Sequence, residues 1–447
     1  MAAEPKTLAE LSRALTKRSL SAEAALEHCL ARIADRNQSL NAFITVLADE
    51  ARAQARQADR EIAAGHHRGP LHGVPISLKD IIDLRGVPTT AASRVREGFI
   101  APQDAAVVAR LREAGAVFVG KANLHEFAFG TTNEDSAFGP VRHPLDAARS
   151  PGGSSGGSAA SVLAGMAYAS IGTDTGGSVR IPAAACGLVG LKPTLGEVPA
   201  DGVVPLSATM DHVGPLCRSV EDAATVYRVM SGSAGAARPA AARELRGLRC
   251  GVPRAYFLDL LDHDVAAQFD ELCQRLTRAG AILDEVAIGH TAQIAPVYLH
   301  IVLAEAAAYH APTLERQPGD YTPNVRIRLE MGRYILAEDY VRAMRGREVL
   351  TTEVNAALDG RDVLLLPSLA VPATRLGAAT VQVGGVEEPV RNIMLRLTQL
   401  FNITGHPAIS MPCGHTGEGL PVGVQLVGKS GRTPELLHVA ATVESIC

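Results

Sequence analysis

A chain of 447 residues with a formal net charge of −4, 47% hydrophobic and 20% charged residues can bury a large core. That balance excludes a basic footprint for nucleic acid, a polybasic membrane patch and long disorder. Length alone suggests two or three domains, and the seven cysteines form no Cys-x-x-Cys pair and show no metal spacing, which reads as reduced thiols.

Taken in order, residues 1–11 contain no apolar signal core, so a cytoplasmic location is expected. Residues 7–65 read as helical, with Ser21 as an N-cap and Leu26, Cys29, Leu30 and Ile33 at helical spacing. A short strand is expected over 41–47 and an Ala/Arg-rich helix over 48–64, closed by Gly65. A strand over 74–78 ends in Lys79; a helix over 105–114 is closed by Gly115, and a buried strand follows over 116–119. A helix over 156–164 begins at a glycine-rich turn, with its positive dipole end toward the serines there, and a strand over 166–172 follows. Ser219-Val220-Glu221-Asp222 resembles a capping box opening a helix to 230. Residues 233–243, small and Ala/Gly-rich, read as a linker-like surface connection. A second alternating set follows: strand 249–252, helix 265–278, strand 282–287, helix 292–309, then a mostly helical stretch over 321–357. Strand 362–366, helix 395–403, strand 422–427 and a final helix opened by Thr433 complete the chain. The longest soft run, 158–172, is short of a membrane span. Alternating helices and strands without repeats predict a layered α/β architecture.

The chemistry concentrates in residues 150–180. Two serines, Ser154 and Ser178, each follow a Gly-Gly pair, and glycine lets a backbone take positive φ and approach another group closely. The segment between them is too apolar for a flexible linker. Neither serine sits in a Gly-x-Ser-x-Gly elbow, and the nearby His125, His143 and His212 share no motif with them. Upstream, Lys79 ends the apolar run Gly73-Val74-Pro75-Ile76-Ser77-Leu78. Desolvation there would lower its pKa and make it a general base; a lysine snorkelling from a strand end fits the same run.

Together these segments resemble the amidase signature family. The resemblance covers 73–80, 120–136, 151–160 and 172–193, the last reading Gly-Thr-Asp-Thr-Gly-Gly-Ser-Val-Arg-Ile-Pro-Ala-Ala-Ala-Cys-Gly. It continues more weakly through Asp211-His212-Val213-Gly214-Pro215 and residues 402–413. It implies one large α/β domain, a mixed β-sheet core covered on both faces by helices. An N-terminal helical region over 1–65 would pack on the catalytic part, 66–447, whose variable middle runs over about 233–358. By motif the family's catalytic set falls on Lys79, Ser154 and Ser178, with a cis peptide before Ser154. The oxyanion would be met by the backbone N–H groups of Thr175, Gly176, Gly177 and Ser178. Gly130, Thr131 and Gln399 fall in the substrate pocket. Ser178 attacks a carbonyl carbon, Ser154 relays the proton to neutral Lys79 because a hydroxyl both donates and accepts, and water hydrolyses the acyl-enzyme. Ser155 is the rival for the relay; with Ser158 it reads as satisfying local backbone or helix N–H groups. Asp174 and Arg180 read as a pair holding the turn, Lys121 and Glu126 as structural, and Cys186 as a buried core thiol. The run 393–400 suits either an apolar substrate site or a core helix.

The activity implied is hydrolysis of an amide C–N bond, with anilides, carbamates (urethanes) and small esters open to the same steps. No metal or cofactor is expected. The partner is a small-molecule amide or carbamate, with no nucleic acid and no membrane, and the protein is a monomer or homodimer. The alternative is the glutaminase (A) subunit of a glutamyl-tRNA amidotransferase complex. That glutaminase carries a carboxylate before its Asn-x-x-Gly segment to hold the substrate ammonium, and here Leu395-Arg396-Leu397-Thr398-Gln399-Leu400 contains no acid. A nucleotide-binding scaffold would need a Gly-x-x-x-x-Gly-Lys-Ser/Thr loop, which is missing.

Overall fold

The computed structural model describes residues 5–233 and 245–447. Its strands, in chain order, are β1 (Phe43–Val46), β2 (Pro75–Lys79), β3 (Val117–Ala122), β4 (Ala169–Asp174), β5 (Val189–Lys192), β6 (His212–Cys217), β7 (Arg249–Pro253), β8 (Ile282–Val286), β9 (Val363–Pro367), β10 (Thr380–Val383), β11 (Val386–Pro389), β12 (Ala408–His415) and β13 (Pro421–Val427). Among the described residues, eleven of them form one mixed sheet in the order β1-β3-β2-β4-β6-β5-β12-β13-β9-β7-β8. The pairs β2–β3, β2–β4, β7–β8 and β7–β9 are parallel. Every residue of β2, β3, β4, β6 and β9 is buried. Strands buried on both faces need helices on both, which is why they read as continuous apolar runs rather than alternating ones.

The N-terminal helices form where their caps predict. Ser21 Oγ accepts from the Ala24 N–H at 3.0 Å and opens Ala22–Leu40, which buries Leu26, Cys29, Leu30 and Ile33. The first helix, Leu8–Thr16, has a complete capping box between Thr7 and Glu10. It is also tied to a distant element. Buried Asp222, on the helix Val220–Ser231, accepts from the N–H groups of Leu8 and Ala9 at 3.1 and 2.9 Å.

Several boundaries differ from the sequence reading. Strand β3 continues past 119 through Lys121, a charge that reads as the end of a buried strand; Lys121 Nζ lies 2.8 Å from the Asp80 carboxylate, both fully buried. Strand β4 begins at Ala169, because the Met166 N–H still closes the preceding helix on the Ser161 carbonyl. The single helix expected over 395–403 is two short ones, Val390–Leu395 and Leu400–Ile403. A short turn joins them, with Arg396 and Gln399 still at right-handed helical angles, and the carbonyls of Leu397 and Thr398 accept from Gln425 Nε2 (2.9 Å) and Arg180 Nη1 (3.0 Å). The linker-like stretch 233–243 lies, Ser233 apart, outside the described residues. The helix Ile294–Arg316 belongs to a segment, 291–316, long and apolar enough to cross a membrane by length and composition; here it buries Val297, Tyr298, Ile301 and Val302 and packs on the helices Pro323–Gly332 and Ala337–Leu358.

Replacing Asp222 by Ala leaves two N-terminal helix N–H groups without their acceptor. We expect a loss of about 1–2 kcal/mol in chemical denaturation; a midpoint unchanged from wild type would show that the Thr7–Glu10 box alone holds this helix.

Candidate active site

Strands β2 and β4 are parallel neighbours, so their carboxyl ends lie side by side, the place where open α/β sheets bind ligands. Strand β2 delivers Lys79 there, with no solvent exposure. Its Nζ donates to Ser154 Oγ and to Thr173 Oγ1, each at 2.8 Å. The lysine is therefore not snorkelling. Burial pulls its pKa down to about 7, against the opposing pull of Asp174 and Asp211.

The turn bearing Ser154 is fixed from below. The Gly153–Ser154 peptide is cis. A Cβ on Gly153 would stand 2.8 Å from the Asn133 nitrogen and 2.9 Å from that of Thr132, so only glycine lets the turn close on the 131–133 loop. Ser150 Oγ donates to the Thr132 carbonyl at 2.6 Å, and Asn133 Oδ1 accepts from the Gly156 N–H at 2.9 Å. The helix Gly156–Leu163 thus spends its first N–H on Asn133 and its next, from Gly157, on the Asn123 carbonyl. Thr131 is buried in this loop against the Ser154 turn. Gly130 has a packing role: the His125 ring fills the space of its missing Cβ, with Nε2 3.2 Å from Asp135.

Ser178 follows β4 on a turn that opens into the helix Arg180–Ala185. Its hydroxyl makes no hydrogen bond among the described residues, to Ser154 or to any other group. The N–H groups of Thr175, Gly176, Gly177 and Ser178 likewise donate to no protein acceptor among the described residues. The next two N–H groups, of Val179 and Arg180, turn to Asp174 Oδ2 at 3.1 and 3.3 Å. Gly177 has φ +141°, and a Cβ there would lie 2.3 Å from Thr398 Oγ1. The result is a row of backbone donors held open beside a hydroxyl, the arrangement that stabilises a developing oxyanion.

Asp174 and Arg180 pair as expected, fully buried and bidentate at 2.9 and 3.0 Å. Burial raises the Asp174 pKa, but Arg180 overrides it and holds the carboxyl well below its ordinary range. The guanidinium also donates to Asn402 Oδ1 and Gln425 Oε1, both at 2.6 Å. Thr398 Oγ1 donates to the Gly176 carbonyl at 2.6 Å, and Thr175 Oγ1 to Asp211 at 2.6 Å. Burial raises Asp211 to about 6 despite that hydrogen bond. Sequence reasoning missed Thr173, Thr398, Asp211 and Gln425 in these roles. Thr173 and Asp211 stand inside the motifs that carry the family resemblance; Gln425 shares no local pattern with the turn it supports.

The rival serines go elsewhere. Ser155 Oγ donates to the Thr173 carbonyl at 3.2 Å instead of capping the helix, and Ser158 Oγ has no hydrogen-bond partner among the described residues, contrary to the expected capping role. Lys121 pairs with Asp80 and Glu126 accepts from the Thr322 N–H at 2.8 Å, both structural. Cys186 is buried and its thiol is pushed up by burial. Gln399 does not touch the serines. It lines a cavity beside the turn with Glu388, Arg391 and Arg396, while Ile393, Leu397 and Leu400 of the run 393–400 are buried in the core, as the core-helix alternative has it.

An α/β sheet that presents a buried lysine against one serine turn, with a second serine turn of unpaired backbone N–H groups at the end of the neighbouring strand, is the setting of the candidate site. The chain belongs to the amidase family, hydrolases of C–N bonds in linear amides: the family model described as Amidase matches residues 24–437. An amidase of Pseudomonas putida is 43% identical over 93% of this chain and 90% of its own. The A-subunit of the glutamyl-tRNA(Gln) amidotransferase of Koribacter versatilis is 37% identical over 96% of each chain. A crystal structure of an amidase superposes with TM-score 0.93 at 37% identity, covering 98% of this chain and 99% of that one.

Removing either partner of the Asp174–Arg180 pair strands a buried charge. Arg180→Ala is expected to cost about 3–5 kcal/mol of stability, read by urea denaturation. A loss below about 1 kcal/mol would show that the pair does not hold this turn.

Proposed function

We propose that the protein hydrolyses its amide substrate through a Ser178 acyl-enzyme, with Ser154 relaying the proton to Lys79. One observation carries the reading: an amine with no solvent exposure, 2.8 Å from a serine hydroxyl, whose other contact is also a hydroxyl. Once uncharged, that amine keeps two N–H groups and gains a lone pair. Donating to Thr173 fixes its direction and leaves the lone pair for the Ser154 proton. Ser154 then takes the proton of Ser178, whose oxygen attacks the carbonyl. The charge that develops on the carbonyl oxygen meets the unpaired N–H groups of the 175–178 turn. The same proton returns through Ser154 to the leaving nitrogen, and water attacks the ester. Thr131, buried against the Ser154 turn, borders the reacting carbonyl in this reading.

The amidotransferase relatives give the second reading, a glutaminase that works within a complex. The segment that would carry the acid of such a glutaminase, residues 395–400, contains none, and Leu395 packs on Gly176, with Cδ2 2.9 Å from its missing Cβ. This favours the free-standing amidohydrolase. Release of ammonia from glutamine only when partner subunits are added would reverse that preference.

Intact-protein mass spectrometry after a rapid quench should show the acyl group on wild type and none on Ser178→Ala; an adduct on Ser178→Ala would sink the assignment. Only the uncharged lysine accepts a proton, so the active fraction falls as pH drops through about 7. kcat/KM should decline about tenfold per pH unit below that point. Asp211, protonating near 6, removes a field that holds the proton on Lys79, so it softens the fall at the acid end. A rate constant that stays level from about pH 8 to pH 5 would contradict the base. Lys79→Ala should lower kcat by several orders of magnitude, about 10³-fold or more, with the fold retained by circular dichroism.

A further inference from the structure

Two carboxylates grip one short loop beside the nucleophile turn. The loop, Leu206-Ser207-Ala208-Thr209-Met210, leads into Asp211 and strand β6. Asp211 Oδ2 accepts from the N–H groups of Leu206 and Ser207 at 2.9 and 3.1 Å, so the loop closes on the residue that follows it. The second carboxylate, Glu305, comes from the helix Ile294–Arg316. Its Oε2 accepts from Ser207 Oγ at 2.6 Å and from the Thr209 N–H at 3.1 Å. Its Oε1 accepts from Thr209 Oγ1 at 2.7 Å and from the Tyr340 hydroxyl at 2.9 Å. A carboxylate offers about four lone-pair sites, and every one of them is taken here. Further along the helix of Tyr340, Arg347 donates to the Thr209 carbonyl at 3.0 Å. The helix Ile294–Arg316 is already docked by buried Ile301, Val302 and Ala306, so the carboxylate is not needed to seat it.

What the loop carries explains the grip. The other oxygen of Asp211, Oδ1, accepts from Thr175 Oγ1 at 2.6 Å. Thr175 is the first of the residues 175–178 whose N–H groups stand unpaired. Among the described residues the Asp211 side chain has no hydrogen-bond partners besides the loop and Thr175, so it follows the loop wherever the loop goes. We propose that Glu305 is a positioning residue for acyl transfer: by fixing Ser207 and Thr209 it fixes Asp211, and Asp211 sets the direction of Thr175 and of the backbone donors that begin there. A misplacement of about 1 Å in such donors costs about 10²-fold in rate. The inference rests on the acyl-enzyme reading for the role of the 175–178 N–H groups.

Steady-state hydrolysis of p-nitrophenyl acetate, an ester open to the same serine steps, tests it on the full chain, with rates referred to folded protein by circular dichroism. Glu305→Ala is expected to lower kcat about 10²-fold with KM retained, because Glu305 acts on the turn and not on bound substrate. Glu305→Gln keeps the shape, an acceptor for the Thr209 N–H and an amide that the hydroxyls can rotate to meet, so it should recover most of that loss. Thr175→Val removes the hydroxyl at the far end of the same chain of contacts. It should cost as much as Glu305→Ala, and the two together no more than either alone. Thr209→Val, a milder cut that leaves Glu305 in place, should lower kcat less and likewise add nothing to Thr175→Val. A merely structural contact gives the opposite pattern: a lower urea midpoint with kcat per folded molecule unchanged. That pattern, a loss carried by KM alone, or losses that multiply when combined with Thr175→Val would each overturn the proposal. Failure of the serine chemistry shows instead as an acyl adduct on Ser178→Ala, whatever these ratios are.

Discussion

Lysine is an unusual choice for the interior of a sheet, and this fold is arranged around the consequences of putting one there. The amine of Lys79 sits at the end of a strand buried along its whole length, and both its contacts are hydroxyl oxygens. Neither can neutralise a positive charge. The carboxylates whose fields act on it, Asp174 and Asp211, are committed: one to Arg180, the other to Thr175 and the N–H groups of Leu206 and Ser207. Their fields oppose the desolvation without cancelling it, so the amine is poised near neutrality instead of being locked in either state.

In the proposed mechanism the base needs the Ser178 hydroxyl and the backbone N–H donors held in place, and a second buried group fixes the turn that carries them. Arg180 gathers Asp174, Asn402, Gln425 and the Thr398 carbonyl from three separated parts of the chain. Such a pair adds little net stability compared with an apolar replacement, since desolvation offsets much of the Coulombic gain. What it contributes is direction. By drawing the N–H groups of Val179 and Arg180 toward Asp174, it leaves those just before them unpaired and turned elsewhere. The same guanidinium takes the Thr398 carbonyl while Gln425 takes that of Leu397, which ties the segment after Leu395 to the turn.

Much of this is legible in the amino-acid order. The strand ending in Lys79, the two Gly-Gly-Ser turns and the Asp174–Arg180 pair can be read from residue type and spacing, because each rests on a local constraint: burial of a short apolar run, a backbone approach that only glycine allows, opposite charges six residues apart in a tight turn. What stays hidden depends on distant contact. Lys121 reads as a strand end until Asp80 is known to lie against it. The turn at 396–399 has no sequence signal, since Arg-Leu-Thr-Gln suits a helix, and its carbonyl partners, Arg180 and Gln425, come from distant parts of the chain.

The most direct test of the account is the protonation state of one nitrogen. Nζ-¹⁵N-lysine labelling of Ser178→Ala, with Lys79 assigned by its loss in Lys79→Ala, allows the amine to be titrated by NMR without interference from turnover. A midpoint near pH 7 is the predicted result. A midpoint at or above the ordinary lysine value of about 10.4 would mean that the amine stays charged at neutral pH and cannot serve as the base.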